Sequence, residues 1–129
     1  KIRNQAARMG LAERTLFLGP QPRVSEFYSA MDVFVLPSRF EGFGIALLEA
    51  QVNGLPCLCS DTVSPSSNVT GQVRRLSLAS GAEKWALETA RVIKESPHRM
   101  AASNFARNSE FEISCAAQKL KDRYLDLLK

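Results

Sequence analysis

Two glutamates, Glu41 and Glu49, stand eight positions apart in the stretch "SRFEGFGIALLEAQVNGLP", residues 38 to 56. Glu41 sits in a glycine-containing loop, and Glu49 interrupts an apolar helical run of Ile45, Ala46, Leu47, Leu48, Ala50 and Val52. That run leaves no wide polar face for Glu49 to join. An unpaired buried carboxylate is costly, so Glu49 is expected to be buried and either to reach a donor or to line a cleft. Gly42 and Gly44 flank Phe43 just before the helix, where glycine lets a ligand approach the backbone closely. Free N–H groups and the positive dipole end at a helix N-terminus favour an anion, phosphate above all. Carboxylates instead accept hydrogen bonds from hydroxyls, as a sugar or ribose supplies.

Amide donors for a phosphate beside two carboxylates for hydroxyls match the parts of a nucleotide sugar: hexose, diphosphate and ribose. A dinucleotide fingerprint is the rival reading. "GFGIAL" begins like G-x-G-x-x-G, but Leu47 stands at the third glycine position and the loop from the strand is too long. Arg39 is the base beside the motif, open to a phosphate contact or to a solvated loop position. Ser38, after Pro37, is open to capping the loop or approaching a ligand.

The elements that must position these residues follow from periodicity and punctuation. "IRNQAARMG" reads as a helix closed by Gly10, and "RTLFLG" as a short strand stopped at Gly19-Pro20. Val24, Phe27, Tyr28 and Met31 have helical spacing. "DVFVLP" is a continuous apolar run, as in a strand covered on both faces. The helix of Gly44 to Asn53 ends at Gly54, with Pro56 barring continuation. "PCLCS" and "VRRLSL" read as strands, and "GAEKWALETARVIKE" as a helix. Ser96-Pro97 opens a further helix to about Asn108, and "SCAAQKLKDRYLDLL" is a last one with Leu120, Tyr124, Leu127 and Leu128 on one stripe. Strands alternating with helices make an α/β fold: a Rossmann-like parallel sheet flanked by helices, whose ligands bind at the carboxyl ends of the strands.

Composition narrows the classes. With 129 residues, 45% of them hydrophobic, the chain has material for one core and a single domain, 1–129. No apolar run approaches the roughly 20 residues of a membrane span, and no signal-peptide pattern occurs. The net charge of +4 is scattered, with small basic groups at Arg74-Arg75 and at Lys119, Lys121 and Arg123. Nucleic acid is not the expected partner. Arg74-Arg75 read as a solvated edge, with contact to an acidic membrane surface as the lesser reading. Cys57 and Cys59 share a strand and are read as buried thiols of a reducing compartment; no metal site is expected, since His98 belongs to no cluster. "NVT" at 68–70 fits the glycosylation pattern without a secretory context. Trp85 and Phe105 read as helix-packing residues, and Asp32 and Asp61 as turn or cap residues. The chain opens on Lys1 inside a helix-like segment, as a piece of something longer would.

"DVFVLPSRFEGFGIALLEAQVNGLPCLCSD" resembles the donor-binding segment of the family-4 retaining glycosyltransferases. Their pattern is an aspartate-led strand ending in Pro-Ser, then E-G-F-G, a second glutamate followed by alanine, G-x-P, and a strand into Ser-Asp. "FLG" at 17–19, the helix and strand of "VSEFYSAMDVFVLPS" and the late helices match the family's C-terminal domain in order, so the resemblance covers most of the chain. It implies the C-terminal half of a GT-B fold, truncated at its N-terminus, with the acceptor-binding domain absent. By position, Glu41 is implied as the catalytic residue, contacting donor hexose hydroxyls in a positioning and electrostatic role. The amides around Gly42, Phe43, Gly44 and Ile45 are implied to hold the hexose and diphosphate, and Glu49 the ribose diol. The implied substrate is a nucleoside-diphosphate hexose, in UDP or GDP form, with no cofactor or metal. The acceptor is a glycan or lipid-linked glycan, reached through the missing domain. The Trp85 segment is similar to the branch that makes exported bacterial polysaccharides, which implies a cytoplasmic protein or one peripheral at the inner face of the membrane. Ser66 stands where that branch often has an acidic residue, a departure that leaves the donor sugar unassigned. The family's phosphate-neutralising arginine and lysine lie upstream of Lys1, and the acceptor half of the cleft is missing, so the isolated chain is expected to be inactive. The alternatives are a non-catalytic binding or partner domain, and a GT-B nucleotide-sugar epimerase, which calls for histidine acid–base chemistry.

Overall fold

The computed structural model describes residues 1–96 and 112–128. In chain order the regular elements are α1 (Ile2–Arg8), α2 (Val24–Ala30), β1 (Phe34–Leu36), α3 (Ile45–Val52), β2 (Cys57–Ser60), β3 (Val73–Leu76), α4 (Gly81–Glu95) and α5 (Ile113–Leu127). Short 3-10 turns lie at Ala12–Arg14, Pro65–Ser67 and Leu78–Ser80. The helix predicted from Ser96-Pro97 to about Asn108, with His98 and Phe105, lies outside the described residues.

The three strands form one parallel sheet in the order β1-β2-β3. Phe34 aligns with Cys57 and Leu36 with Cys59, while Cys57 aligns with Val73 and Ser60 with Leu76. A parallel pair needs a crossover, and α3 supplies the one from β1 to β2. β2 is central and wholly buried, as its unbroken apolar run requires. Alternation sends Cys57 and Cys59 into a cluster with Tyr28, Leu47, Ala50, Leu55, Val63 and Val73. Leu58 points to the opposite face, where α4 packs on β2 and buries Val92. Helices therefore cover both faces, as the α/β reading requires.

Burial pushes the Cys57 thiol up to about 12 and raises Cys59 as well, so both are inert apolar side chains. Arg74 pairs with Glu95 at 2.5 Å and Glu88 at 3.4 Å, tying β3 to α4. The Arg75 guanidinium donates to the carbonyls of Asp61 and Val63. Both arginines are thus engaged within the protein. Asn68 is also engaged: its side-chain oxygen accepts the Val73 N–H at 3.2 Å. Trp85 is half-buried and donates its indole N–H to the Ser77 carbonyl at 3.1 Å, a packing role as expected.

Two strand expectations change. Residues 15–19 of "RTLFLG" join no sheet among the described residues; Arg3 instead donates to the Phe17 carbonyl at 3.2 Å and lies over its ring at 4.7 Å. A strand needs a partner ladder, which local propensity cannot supply. "DVFVLP" narrows to three residues and is half-buried, because β1 is the sheet edge among the described residues and pairs on one side with β2. The stripe of α5 is present, but Leu120, Tyr124, Leu127 and Leu128 are all exposed.

Gln51 is the buried polar residue that fastens α3. Its side-chain amide donates to the carbonyls of Leu47 (3.1 Å) and Ser67 (2.7 Å). Its oxygen accepts from the N–H groups of Val69 (3.0 Å) and Thr70 (3.2 Å) and from the Thr70 hydroxyl (3.1 Å). Gln51→Met keeps the volume but strands these backbone groups, at about 1–3 kcal/mol for each one left unsatisfied. Urea unfolding of Q51M is expected to show a loss of about 3 kcal/mol or more on that scale. A loss below about 1 kcal/mol would mean that water replaces the amide without penalty.

Candidate functional site

The loop 37–44 leaves the carboxyl end of β1 and enters α3, beside the carboxyl end of β2. Its shape is set from both ends. The Ser38 carbonyl accepts from the hydroxyls of Ser60 at 2.5 Å and Thr62 at 2.8 Å. The Ser38 hydroxyl donates to the Phe40 carbonyl at 2.9 Å, so it caps the loop, one of the two roles open to it. Glu41 forms an isolated parallel bridge with Val63, which the Arg75 contacts also fasten. Arg39 and Phe40 between these anchors are exposed.

Gly44 is the N-cap of α3 and is buried, with φ at +78°, a left-handed conformation that disfavours any side chain. A Cβ there would lie 3.4 Å from Glu41 Cγ and 3.6 Å from Leu47 Cβ, in ordinary contact. The glycine is required by its backbone angle rather than by space. It turns the chain so that Glu41 folds back against the helix start. The Gly44 carbonyl takes up the N–H groups of Leu47 (2.9 Å) and Leu48 (3.1 Å). As a glycine, Gly44 has no side chain to cap the terminus, and the N–H groups of Ile45 and Ala46 precede the first of those helical bonds. Glu41 and Phe43 are half-buried, whereas Gly42 and Ile45 are exposed.

Glu49 corrects an expectation. It is exposed, not buried. Residues 47, 50, 51 and 54 turn toward the sheet, so the inward face contains Gln51, and the outward face contains Ile45, Ala46 and Glu49. The apolar run therefore has an exposed flank. The expected donor and cleft are both there. Tyr28, only 5% exposed, donates its hydroxyl to Glu49 Oε2 at 3.1 Å, with the Ala46 carbonyl at 3.3 Å. Burial, and next the bond to Glu49, push the Tyr28 phenol up to about 12, so it remains a proton donor at neutral pH. Glu49 also lines a cleft of about 500 Å³ between the start of α2 and α3, with Pro22, Val24, Tyr28, Leu48 and Val52.

Ser38 and Glu41 thus lie on the loop at the carboxyl end of β1, Gly44 and Ile45 at the start of α3, and Glu49 on its second turn, beside the cleft. Two residues escape sequence reasoning: Tyr28, whose spacing with Val24, Phe27 and Met31 fits an apolar helical stripe, and Gln51, a polar side chain within the apolar run of α3. The signal for Gln51 was available: with Leu47, Ala50 and Gly54 it completes an i, i+3, i+4, i+7 inward set. Nothing local revealed that Tyr28 would meet Glu49, 21 positions away.

Residues 1–109 match the family described as Glycosyl transferases group 1. The chain is 40% identical over 92 residues to glycosyltransferase EpsF of Bacillus subtilis, covering 70% of this chain and 24% of that protein. It is 33% identical, over 135 aligned positions and its full length, to the lipopolysaccharide core biosynthesis mannosyltransferase LpsB of Rhizobium meliloti, of which it covers 38%. Over 58 residues, 45% of the chain, it is 47% identical to the Escherichia coli UDP-Gal:alpha-D-GlcNAc-diphosphoundecaprenol alpha-1,3-galactosyltransferase, covering 15% of that protein. The chain thus spans well under half the length of these relatives. The match over residues 1–109, and the parallel α/β sheet carrying the two-glutamate loop, place this chain in the group 1 glycosyltransferases, as a C-terminal domain of GT-B type.

Proposed function

We propose that the loop and helix from Ser38 to Glu49 form the donor site of a retaining hexosyltransferase. The reaction moves a hexose from a nucleoside diphosphate, UDP or GDP, to a hydroxyl of a glycan or lipid-linked acceptor. The observation that carries this reading is that Glu41 precedes the Gly44 N-cap of α3 and Glu49 follows it on the second turn, where it opens onto a cleft. In the transfer, the bond from the anomeric carbon to the diphosphate oxygen breaks and a bond to the acceptor oxygen forms. The diphosphate leaves with the electron pair, and the acceptor proton must be removed. The N–H groups at Ile45 and Ala46 and the helix dipole stabilise the charge gathering on that leaving group. Glu41, held by its bridge to Val63, positions the hexose through its hydroxyls and favours positive charge at the reacting carbon. Glu49 takes the ribose diol, and Arg39 contributes a diffuse positive field from its exposed place on the loop.

The names of two relatives agree with such chemistry: one is a mannosyltransferase of lipopolysaccharide core, the other a galactosyltransferase named for a UDP sugar and a diphosphoundecaprenol-linked glycan. We place this protein in bacterial polysaccharide biosynthesis, on the cytoplasmic side and peripheral to the membrane. Among the described residues no helix is long and apolar enough to cross one. The acceptor is taken to bind a second domain, so this chain alone binds donor and does not turn it over.

Titration of the isotopically labelled chain with UDP, GDP and their glucose and mannose forms tests the site. Amide shifts are expected to cluster at Gly42 to Glu49, to be largest for one base, and to need more nucleotide in Glu49→Gln. Silence of these amides at millimolar nucleotide would exclude a donor site on this chain. Gly44→Ala is expected to cost about 1–2 kcal/mol of stability, since alanine is strained at this φ. It should also weaken nucleotide binding by displacing the amides; unchanged binding would remove the helix terminus from the site. Incubation with a radiolabelled UDP- or GDP-hexose and a lipid-linked acceptor is expected to give no product, and measurable transfer would show that the chain holds a complete active site.

A further inference from the structure

Tyr28 is a buried polar side chain that the two-glutamate motif does not account for. Its ring stands edge-on to Phe34, with centroids 5.7 Å apart and planes at 78°, so the aromatic body is wedged against β1. Its hydroxyl proton is within reach of Glu49 Oε2 at 3.1 Å and of the Ala46 carbonyl at 3.3 Å. The carboxylate takes the larger share, because a charged acceptor binds a donor more strongly than a carbonyl does. Glutamate on an exposed helix flank turns freely about three bonds, and a ligand that needs one rotamer bears the cost of selecting it. Here a rigid phenol reaches out of the core and fixes that rotamer at the rim of the cleft.

We propose that Tyr28 is a positioning residue for donor binding: its buried hydroxyl holds Glu49 by Oε2, so that the carboxylate meets the vicinal hydroxyls of a ribose already ordered. This rests on the reading of Glu49 given above. Tyr28 touches the carboxylate rather than the ligand, and its effect is therefore confined to ligands that use the carboxylate. Tyr28→Phe removes the oxygen and keeps the ring against Phe34, which makes it the selective variant.

The test measures binding of UDP and GDP, and of their 2′,3′-dideoxy forms, to the wild-type chain, Y28F, E49Q and the double variant. Y28F is expected to weaken the ribonucleotide about three- to tenfold, the range of one lost hydrogen bond, and to leave the dideoxy form unchanged. E49Q should bring the two forms together, and adding Y28F to E49Q should change nothing further. Equal losses for both forms in Y28F would make Tyr28 a merely structural residue and overturn the proposal. Undiminished ribonucleotide binding in Y28F, with E49Q still weakened, would overturn it while leaving the donor-site reading intact. If the wild type does not distinguish the two forms, or binds neither, the ribose role of Glu49 falls and the role of Tyr28 falls with it. Should Y28F unfold, the wild type still decides. The Tyr28 ring resonances must then move with the ribonucleotide and stay in place with the dideoxy form, and movement with both would count against the proposal.

Discussion

The carboxamide of Gln51 is the constraint on which the site geometry depends. A side-chain amide inside an apolar core is tolerated only when its donors and acceptor are satisfied, and here two carbonyls, two N–H groups and a hydroxyl satisfy them. Those partners belong to α3 itself and to residues 67–70, the segment leading into β3. One side chain therefore fixes how far α3 is rotated about its axis over the sheet. Apolar contacts alone fix that rotation loosely, since Leu47 and Ala50 could exchange neighbours at small cost. With the phase set by Gln51, Ile45 and Glu49 are turned outward.

The same rotation explains how an exposed glutamate becomes a defined feature. α3 lies between two fixed structures, the sheet beneath and α2 alongside, and Tyr28 is where α2 meets it. The other end of the site is set by backbone contacts. Ser60 and Thr62 hold the Ser38 carbonyl, and Glu41 bridges to Val63, whose own carbonyl accepts from Arg75. The loop carrying Glu41 is thus tied to β2 and the residues after it, while Glu49 is tied to α2. The Glu41 backbone and the Glu49 carboxylate are held by independent means. A change at Tyr28 should be felt at Glu49 and scarcely at Glu41.

What was legible in the sequence divides along the same line. Elements whose signal is local were read well: α3 between Gly44 and Gly54, the buried run of β2, and α4 with its long amphipathic period. The backbone geometry of the loop is legible too, because the left-handed angle of Gly44 and the start of α3 are local properties. Pairing was not. Residues 15–19 have a strand's composition but join no ladder among the described residues, and the edge position of β1 depends on which segments lie beside it. Burial of Glu49 was misjudged for a related reason. Counting apolar neighbours measures how hydrophobic a helix is, whereas exposure depends on its rotation, which Gln51 decides through residues 16 to 19 positions away.

Net charge illustrates how poorly a sum describes a surface. The excess of +4 suggests attraction to anions, yet much of the basic content near the sheet is already committed. Arg74 and Arg91 share Glu88 and Glu95, which holds the Glu95 carboxyl below its usual range, with Arg91 the larger influence and Arg74 next. Arg75 is taken up by two carbonyls, and Arg23 by Glu26 across one helical turn. Exposed pairs of this sort add little stability, but they cancel the field that a ligand would otherwise feel. Within the two-glutamate loop and α3 the positive features are Arg39 and the dipole end of the helix, set against the negative carboxylates of Glu41 and Glu49. Charges so balanced within one loop and helix give little long-range attraction for an anion. On the donor-site reading proposed above, selectivity rests on directed hydrogen bonds at short range, so the rotation of α3 and the orientation of Glu49 matter more than the number of basic residues.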